Sequence, residues 1–199
     1  MVSLDNIHVV GSLYMSLFGG YKPVPDAFIN YFKRHNFKAK RLFVLGNRLV
    51  DMKLATALHE RLKCKVMKCL MQRSGEVSIA KGYADAVVHN LREAREEITK
   101  FKPDIVLSDF DNTLAYSGYD VYEAEIEKLR FWERYARSRL ARLIYGIGSQ
   151  LSYPFLRRTP YGGTDDNTEA FIRTLKCPLL IHTMSPEIVV WRFLKDFLN

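Results

Sequence analysis

One stretch in the middle of the chain decides the fold, and it has the sequence Asp104-Ile105-Val106-Leu107-Ser108-Asp109-Phe110-Asp111-Asn112-Thr113-Leu114. Its apolar residues at 105–108 predict a short strand buried on both faces, as in a parallel sheet. Asp109 and Asp111 follow at the strand end, spaced by two, so both carboxylates point to one side and converge. Carboxylates this close repel each other unless a cation lies between them. The stretch therefore indicates a cation site, although aspartates also commonly begin loops or cap helices.

A hard divalent ion, Mg²⁺ above all, suits such an all-oxygen site. Mg²⁺ usually keeps several waters, which the phosphate oxygens of a substrate can replace. One carboxylate could then attack phosphorus while the other transfers protons. The pair of aspartates thus predicts metal-dependent phosphate chemistry.

Similar apolar runs on both sides of this stretch predict an α/β protein. Short runs alternate with stretches of helical period, which is the pattern of βαβ units around a largely parallel sheet. The predicted strands cover residues 7–10, 42–45, 65–70, 86–88, 105–108 and 179–182. Helices are predicted at 26–34, at 50–62 and from about 91 to 99, and a further one is predicted to begin at 185–187.

Residues 116–159 interrupt this alternation and are predicted to form a helical cap inserted into a core domain of residues 1–115 and 160–199. An apolar stripe with spacings of three and four consists of Leu129, Trp132, Ala136, Leu140 and Leu143. The other faces carry Arg130, Arg134, Arg137, Arg139 and Arg142. Gly146 and Gly148 predict the end of this helix. Two hypotheses stay open: an amphipathic helix with a solvated basic face, or a lid that presents arginine to an anionic substrate.

Composition limits the class of protein. The 199 residues allow one core domain, and the formal net charge of +8 predicts a surface that attracts anions, whether nucleic acid or small phosphorylated molecules. The three cysteines lack the spacing of a zinc site or a disulfide framework. We find no signal peptide and no run of about 18 apolar residues, the length that a membrane span requires. We therefore expect a cytoplasmic protein without a membrane partner, and its oligomeric state is not predicted.

The segment 109–113 also resembles the DxDxT motif of the haloacid dehalogenase-like (HAD-like) superfamily of phosphotransferases. In that family the first Asp is the nucleophile that becomes an aspartyl phosphate, and the second is the general acid and base. The resemblance therefore implies that Asp109 is the nucleophile and Asp111 the acid and base. It also implies that Asn112 and Thr113 support the bound phosphate.

Three further segments resemble the remaining motifs of the family, but in a rotated order. Residues 179–187 resemble the second motif, with Thr183 in the phosphate-binding position, and residues 21–28 resemble the third, with Lys22 as its lysine. Residues 42–51 resemble a strand followed by GDxxxD, the fourth motif, which contains Asn47 and Asp51. The third and fourth motifs thus precede the first and second. The chain is identified on these motifs as a circularly permuted member of archaeal type.

The resemblance implies a Rossmann-like three-layer sandwich with a mainly parallel sheet and a small helical cap. It further implies that Asp109, Asp111, Asn47 and Asp51 hold Mg²⁺. Asn47 departs from the family pattern, which has Asp at this position. A neutral amide can still bind Mg²⁺ but removes one negative charge, so Asp51 is the stronger candidate of the two. His182, at a strand end, is predicted to pack in the core or behind the site.

The implied function is hydrolysis of a small phosphomonoester through an aspartyl-phosphate intermediate. The second Asp argues against a dehalogenase or a phosphonatase, whereas a phosphomutase stays open. One alternative is a binding or regulatory module with weak catalysis, which Asn47 favours; another is a nucleic-acid-directed phosphatase, which the net charge favours. Permutation also predicts that Met1 and Asn199 lie close together in space.

Overall fold

Six parallel strands form the sheet around which the chain folds. The computed structural model describes residues 6–18, 25–72, 79–115, 130, 134, 137–156 and 167–198. The strands are β1 (Ile7–Val10), β2 (Arg41–Gly46), β3 (Lys65–Met71), β4 (Ala86–Val88), β5 (Ile105–Asp109) and β6 (Leu179–His182). All six predicted strands are confirmed to within one residue at each end, and so is the α/β class.

Seven α-helices lie within the described residues. They are α1 (Ser12–Phe18), α2 (Asp26–Arg34), α3 (Leu49–Leu62), α4 (Leu91–Phe101), α5 (Arg139–Leu156), α6 (Thr168–Thr174) and α7 (Glu187–Leu198), and a 3₁₀ helix covers Ile79–Tyr83. Local chemistry sets several ends: the Asn90 side chain accepts a hydrogen bond from the Glu93 amide at the start of α4, and Lys63 and Lys102 adopt left-handed backbone conformations after α3 and α4. The predicted helices α2, α3, α4 and α7 are confirmed, whereas α1 was not predicted.

The helices cover both faces of the sheet, which gives three layers. Alternate residues of β2 point to opposite faces: Leu42 and Val44 pack with α1, α2 and α3, whereas Phe43 and Leu45 pack with α4, α6 and α7. Strands buried on both faces in this way are mostly apolar, and this pattern made them recognisable in the sequence.

The strand order is β1-β6-β5-β2-β3-β4. From the centre, β2, β3 and β4 step outward in one direction, and β5, β6 and β1 step outward in the other. The direction of winding therefore reverses between β5 and β2. In open parallel sheets, ligands bind at such a switch point, beyond the carboxyl ends of the strands.

Helix α5 corrects one prediction about residues 116–159. Gly146 and Gly148 do not end the helix, which continues to Leu156. Gly146 instead lies against α1, where an added Cβ would come within 2.6 Å of the Ser16 Cβ, and the Ser149 hydroxyl lies 2.6 Å from that of Ser12. Small residues here allow the two helices to approach closely, so this glycine serves packing rather than termination.

The predicted apolar stripe is also wrong at Leu140, which is 69 % exposed. Of the predicted arginines, Arg130, Arg134, Arg137 and Arg139 are exposed, whereas Arg142 is half-buried. Leu129, Trp132 and Ala136 lie outside the described residues, so the cap itself stays a prediction. Within the described part of the chain, no helix combines the length and apolar character needed to cross a bilayer.

Candidate functional site

The carboxyl ends of three neighbouring strands bring most of the predicted site residues together. Asp109 is the last residue of β5 and pairs in register with His182, the last residue of β6. Thr183 follows β6, and Asn47 follows β2 on the other side of β5. Asp109, His182, Thr183 and Asn47 therefore all lie at the carboxyl edge of the sheet, beside the switch point.

The loop after β5 is a tight turn that holds Asp111 next to the strand end. The amides of Leu114 and Ala115 both donate to the Phe110 carbonyl, and the Asn112 amide donates to the Ala115 carbonyl. Asn112 adopts a left-handed conformation, with φ of 58°, which asparagine tolerates better than most residues. Asp109 is only 4 % exposed, so its carboxylate is enclosed at the base of this turn.

Thr183 connects this turn to the helix that follows β6. Its hydroxyl donates to Asp111 Oδ2 at 2.9 Å and accepts a hydrogen bond from the Ser185 amide, also at 2.9 Å. The side chain is fully buried. The structure thus places Thr183 in direct contact with Asp111, the predicted acid and base.

Asp51 reaches the site from the first turn of α3. Its Oδ2 accepts a hydrogen bond from the Arg48 amide at 3.1 Å, and the residue is fully buried. The carboxylate lies against Gly46, where an added Cβ would come within 2.5 Å of the Asp51 Cγ. A glycine at the end of β2 is therefore required for Asp51 to occupy this position.

Asn47 and Thr113 each place an oxygen in the interior without a partner. Among the described residues, Asn47 Oδ1 and Thr113 Oγ1 are buried atoms that make no hydrogen bond. An unsatisfied buried polar group costs about 1–3 kcal/mol, so such atoms in a native fold indicate a missing ligand or solvent molecule. Asn47 Oδ1 is thus a candidate donor to a bound cation.

Asp51, Asp109 and His182 form a buried group suited to a metal ion. One ligand atom from each lies within 4.8 Å of the others, and His182 Nδ1 is 3.8 Å from Asp109 Oδ1. Ligands with bonds of 2.0–2.2 Å lie about 3–4 Å apart around an ion, so the most widely separated ligand atoms would have to approach by about 1–2 Å at most to complete the site. Of the four predicted metal ligands, Asp109 and Asp51 belong to this group, whereas Asp111 contacts Thr183.

Two predicted features lie outside the described residues. Lys22 falls in the segment 19–24, and Met1 and Asn199 fall at the chain ends. The role of Lys22 and the closeness of the ends stay predictions. His182, by contrast, belongs to the site although the sequence predicted only packing for it; the available signal was a single polar residue at the end of an otherwise apolar strand.

No protein-family model, curated protein or solved structure matches this chain in the three comparisons.

Proposed function

We propose that this protein is a metal-dependent phosphomonoester hydrolase, a circularly permuted member of the HAD-like superfamily. One observation carries the proposal. The nucleophile candidate Asp109, the acid–base candidate Asp111 and the phosphate-binding candidate Thr183 meet at the switch point of a parallel sheet, together with the buried carboxylate of Asp51. These residues come from three separate segments of the sequence, around positions 51, 109–111 and 183.

The strand order supports the permuted relationship. When strands are counted from β5 through β6, β1, β2, β3 and β4, the observed order becomes 3-2-1-4-5-6. This is the order of doubly wound nucleotide-binding sheets, in which the two halves start beside each other at the centre. If the chain began at β5 instead of β1, its strand order would therefore be a common one.

The donor set fits a divalent cation. Asp51 and Asp109 supply two buried carboxylates that would repel each other without a positive charge. The buried amide oxygen of Asn47, Oδ1, accepts no hydrogen bond from the described residues. When bound, the cation would neutralise this repulsion and polarise a phosphoryl oxygen. Asp51 and Asp109 would hold it, with Asn47 as a neutral ligand in place of the Asp of the family.

The side chains of this chain would then carry the reaction in two halves. A carboxylate oxygen of Asp109 attacks phosphorus, the bond from phosphorus to the leaving oxygen breaks, and Asp111 gives that oxygen a proton. Asp111 next takes a proton from water, whose oxygen attacks phosphorus, so that inorganic phosphate leaves and the Asp109 carboxylate is restored. Because Thr183 donates to Asp111 Oδ2, the transferred proton resides on Oδ1.

Hydrolysis of p-nitrophenyl phosphate with an added divalent metal tests the proposal. We expect turnover in the wild type, and a loss of at least about 100-fold in Asp109→Asn and in Asp111→Asn, because general acid–base catalysis alone contributes 10²–10⁴-fold. Asp85→Asn is the matched control, since Asp85 is exposed and bonds Lys68 far along the sheet from the site. Mass spectrometry of acid-quenched protein should find phosphate on Asp109. Full activity in Asp109→Asn would refute the mechanism.

The second candidate is a HAD-like module that binds a phosphorylated ligand without turnover. Asn47 favours it, because this position lacks the negative charge of the family's Asp. If the wild type is inactive with every divalent metal and Asn47→Asp becomes active, the binding module is the better description.

A further inference from the structure

His182 occupies a position that packing alone does not explain. It is fully buried at the end of β6, directly beside Asp109 in the register of the sheet. Both side chains point toward the face covered by α1, α2 and α3, because Leu180 and Leu107, each two residues earlier, belong to that core. An imidazole is thus placed next to the carboxylate that we propose as the nucleophile.

The ring of Phe28 limits how the imidazole can turn. It meets His182 edge to face, with ring centroids 5.7 Å apart and an interplanar angle of 89°. Phe28 is itself fully buried in α2. The aromatic contact therefore restricts the plane of the imidazole, and Nδ1 lies on the side of Asp109.

The distance between the two side chains matches a shared ligand better than a hydrogen bond. His182 Nδ1 and Asp109 Oδ1 are 3.8 Å apart. Hydrogen bonds between nitrogen and oxygen measure about 2.7–3.2 Å, whereas two ligands of one metal ion lie about 3–4 Å apart. The third member of the group, Asp51, also has a carboxylate oxygen within 4.8 Å of the other ligand atoms.

We propose that His182 is a direct metal ligand together with Asp51 and Asp109, and that the site therefore prefers a first-row transition-metal dication such as Mn²⁺ or Co²⁺ to Mg²⁺. The proposal rests on the metal dependence of the proposed function. Mg²⁺ prefers oxygen ligands and near-ideal octahedral geometry, whereas imidazole nitrogen suits transition metals. Asn47 adds to this preference, since a site with one carboxylate fewer depends more on the bond to nitrogen.

The direct test uses the metal-free full-length protein loaded with Mn²⁺. Pulsed electron paramagnetic resonance should detect coupling of Mn²⁺ to a directly bound ¹⁴N nucleus in the wild type. The coupling should disappear in His182→Gln, or in His182→Asn if the first variant fails to fold by circular dichroism. Mn²⁺ bound to the wild type without ¹⁴N coupling would overturn the proposal, and this measurement does not depend on any variant.

Titration calorimetry with Mg²⁺ and with Mn²⁺ tests the selectivity. We expect the wild type to bind Mn²⁺ at least about 10-fold more tightly, and His182→Gln to lose 10–100-fold in Mn²⁺ affinity while its Mg²⁺ affinity changes by less than about 3-fold. His8→Gln is the matched control, because His8 lies on the edge strand β1, against Tyr31 and Phe37 and outside the group of Asp51, Asp109 and His182, and the variant should bind as the wild type does. Equal losses of Mg²⁺ and Mn²⁺ affinity in His182→Gln would overturn the selectivity.

These outcomes separate this proposal from the proposed function. Turnover with Mg²⁺ and no ¹⁴N coupling in the Mn²⁺ form would overturn the role of His182 alone. Nitrogen-coupled Mn²⁺ without hydrolysis of any phosphomonoester would support His182 and contradict the hydrolase. A protein that binds no divalent cation would overturn both.

Discussion

His8, on the edge strand β1, is a titratable side chain in an aromatic setting. Its Nδ1 lies 3.1 Å from the Tyr31 hydroxyl, and its ring meets Phe37 edge to face at 4.9 Å. Burial, and to a smaller degree the nearby His35, lower the pKa of His8 below its usual 6.5. The folded protein therefore favours the neutral imidazole more strongly than the unfolded chain does.

The free energy of unfolding should consequently depend on pH through His8. Above about pH 7.5 His8 is neutral in both the folded and the unfolded protein, so its contribution to the free energy of unfolding is complete. This contribution is lost as the pH falls through 6.5, because the unfolded chain binds the proton before the folded protein does. Urea denaturation between about pH 7.5 and about pH 5.5 should show a smaller loss of stability in His8→Gln than in the wild type. Identical pH slopes in the two proteins would contradict the lowered pKa.

Single residues show how far the sequence predicts the site. Asp109 and Asp111 were predicted from the end of a recognisable strand, and Thr183 and Asp51 from the resemblance to the family motifs; the structure brings all four to the same sheet edge. The place of His182 in the metal-binding group was not predicted. Asp109 and His182 are neighbours because of the register between β5 and β6. These strands lie more than 60 positions apart in the chain, so no local sequence pattern indicates their register.

Among the elements, buried strands were predicted well and helix α5 was not. A strand covered on both faces is mostly apolar along its length, so its limits are visible in the sequence. The end of α5 was misplaced because a glycine favours a helix end and a close helix contact alike. The contact between α1 and Gly146 distinguishes a close helix contact from a helix end. Helix α1 was itself not predicted, because it is only seven residues long within an apolar run.

Gly146 and Gly148 provide a matched test of this packing. In Gly146→Ala the new methyl group would meet Ser16, so we expect a loss of about 1–3 kcal/mol in the free energy of unfolding, as overpacking typically costs. In Gly148→Ala nothing lies within 4 Å of the added Cβ, so the higher helix propensity of alanine should stabilise by up to about 1 kcal/mol. Chemical denaturation measures both values. A gain in both variants would refute the close contact between α5 and α1.

At the scale of the whole molecule, the sheet is wound from its centre in both directions. The described parts of the chain place the outermost strand β1 beside β6, and Ser12 at the start of α1 donates to the Ser185 carbonyl just before α7. Helix α7 has 12 residues, about 18 Å at 1.5 Å per residue, and returns over the sheet from that point. The C-terminal end of α7 therefore lies toward the end of the sheet at which β1 begins.

A re-permuted chain tests the proposed rotation. We would join the two ends with about ten Gly/Ser residues, which span roughly 17–19 Å, and open the chain between Lys102 and Pro103. Lys102 is exposed after α4, while Asp104 keeps its hydrogen bonds to the Lys40 and Arg41 amides, so we expect cooperative unfolding close to that of the wild type. An opening between Phe110 and Asp111, inside the buried turn, is the control and should destabilise strongly. An unfolded 102/103 protein would contradict the rotation.

The pairing of β1 has a consequence for protein synthesis. Within the described residues, β1 is hydrogen-bonded to β6 and to no other strand. On the ribosome the first strand therefore emerges long before its partner, which at 5–20 residues per second takes on the order of ten seconds or more to follow. Throughout that interval the nascent chain carries β1 without its hydrogen-bonded neighbour, and the site lacks His182 and Thr183, which come with β6. A chaperone bound to β1 would therefore shield its unpaired edge until β6 is synthesised.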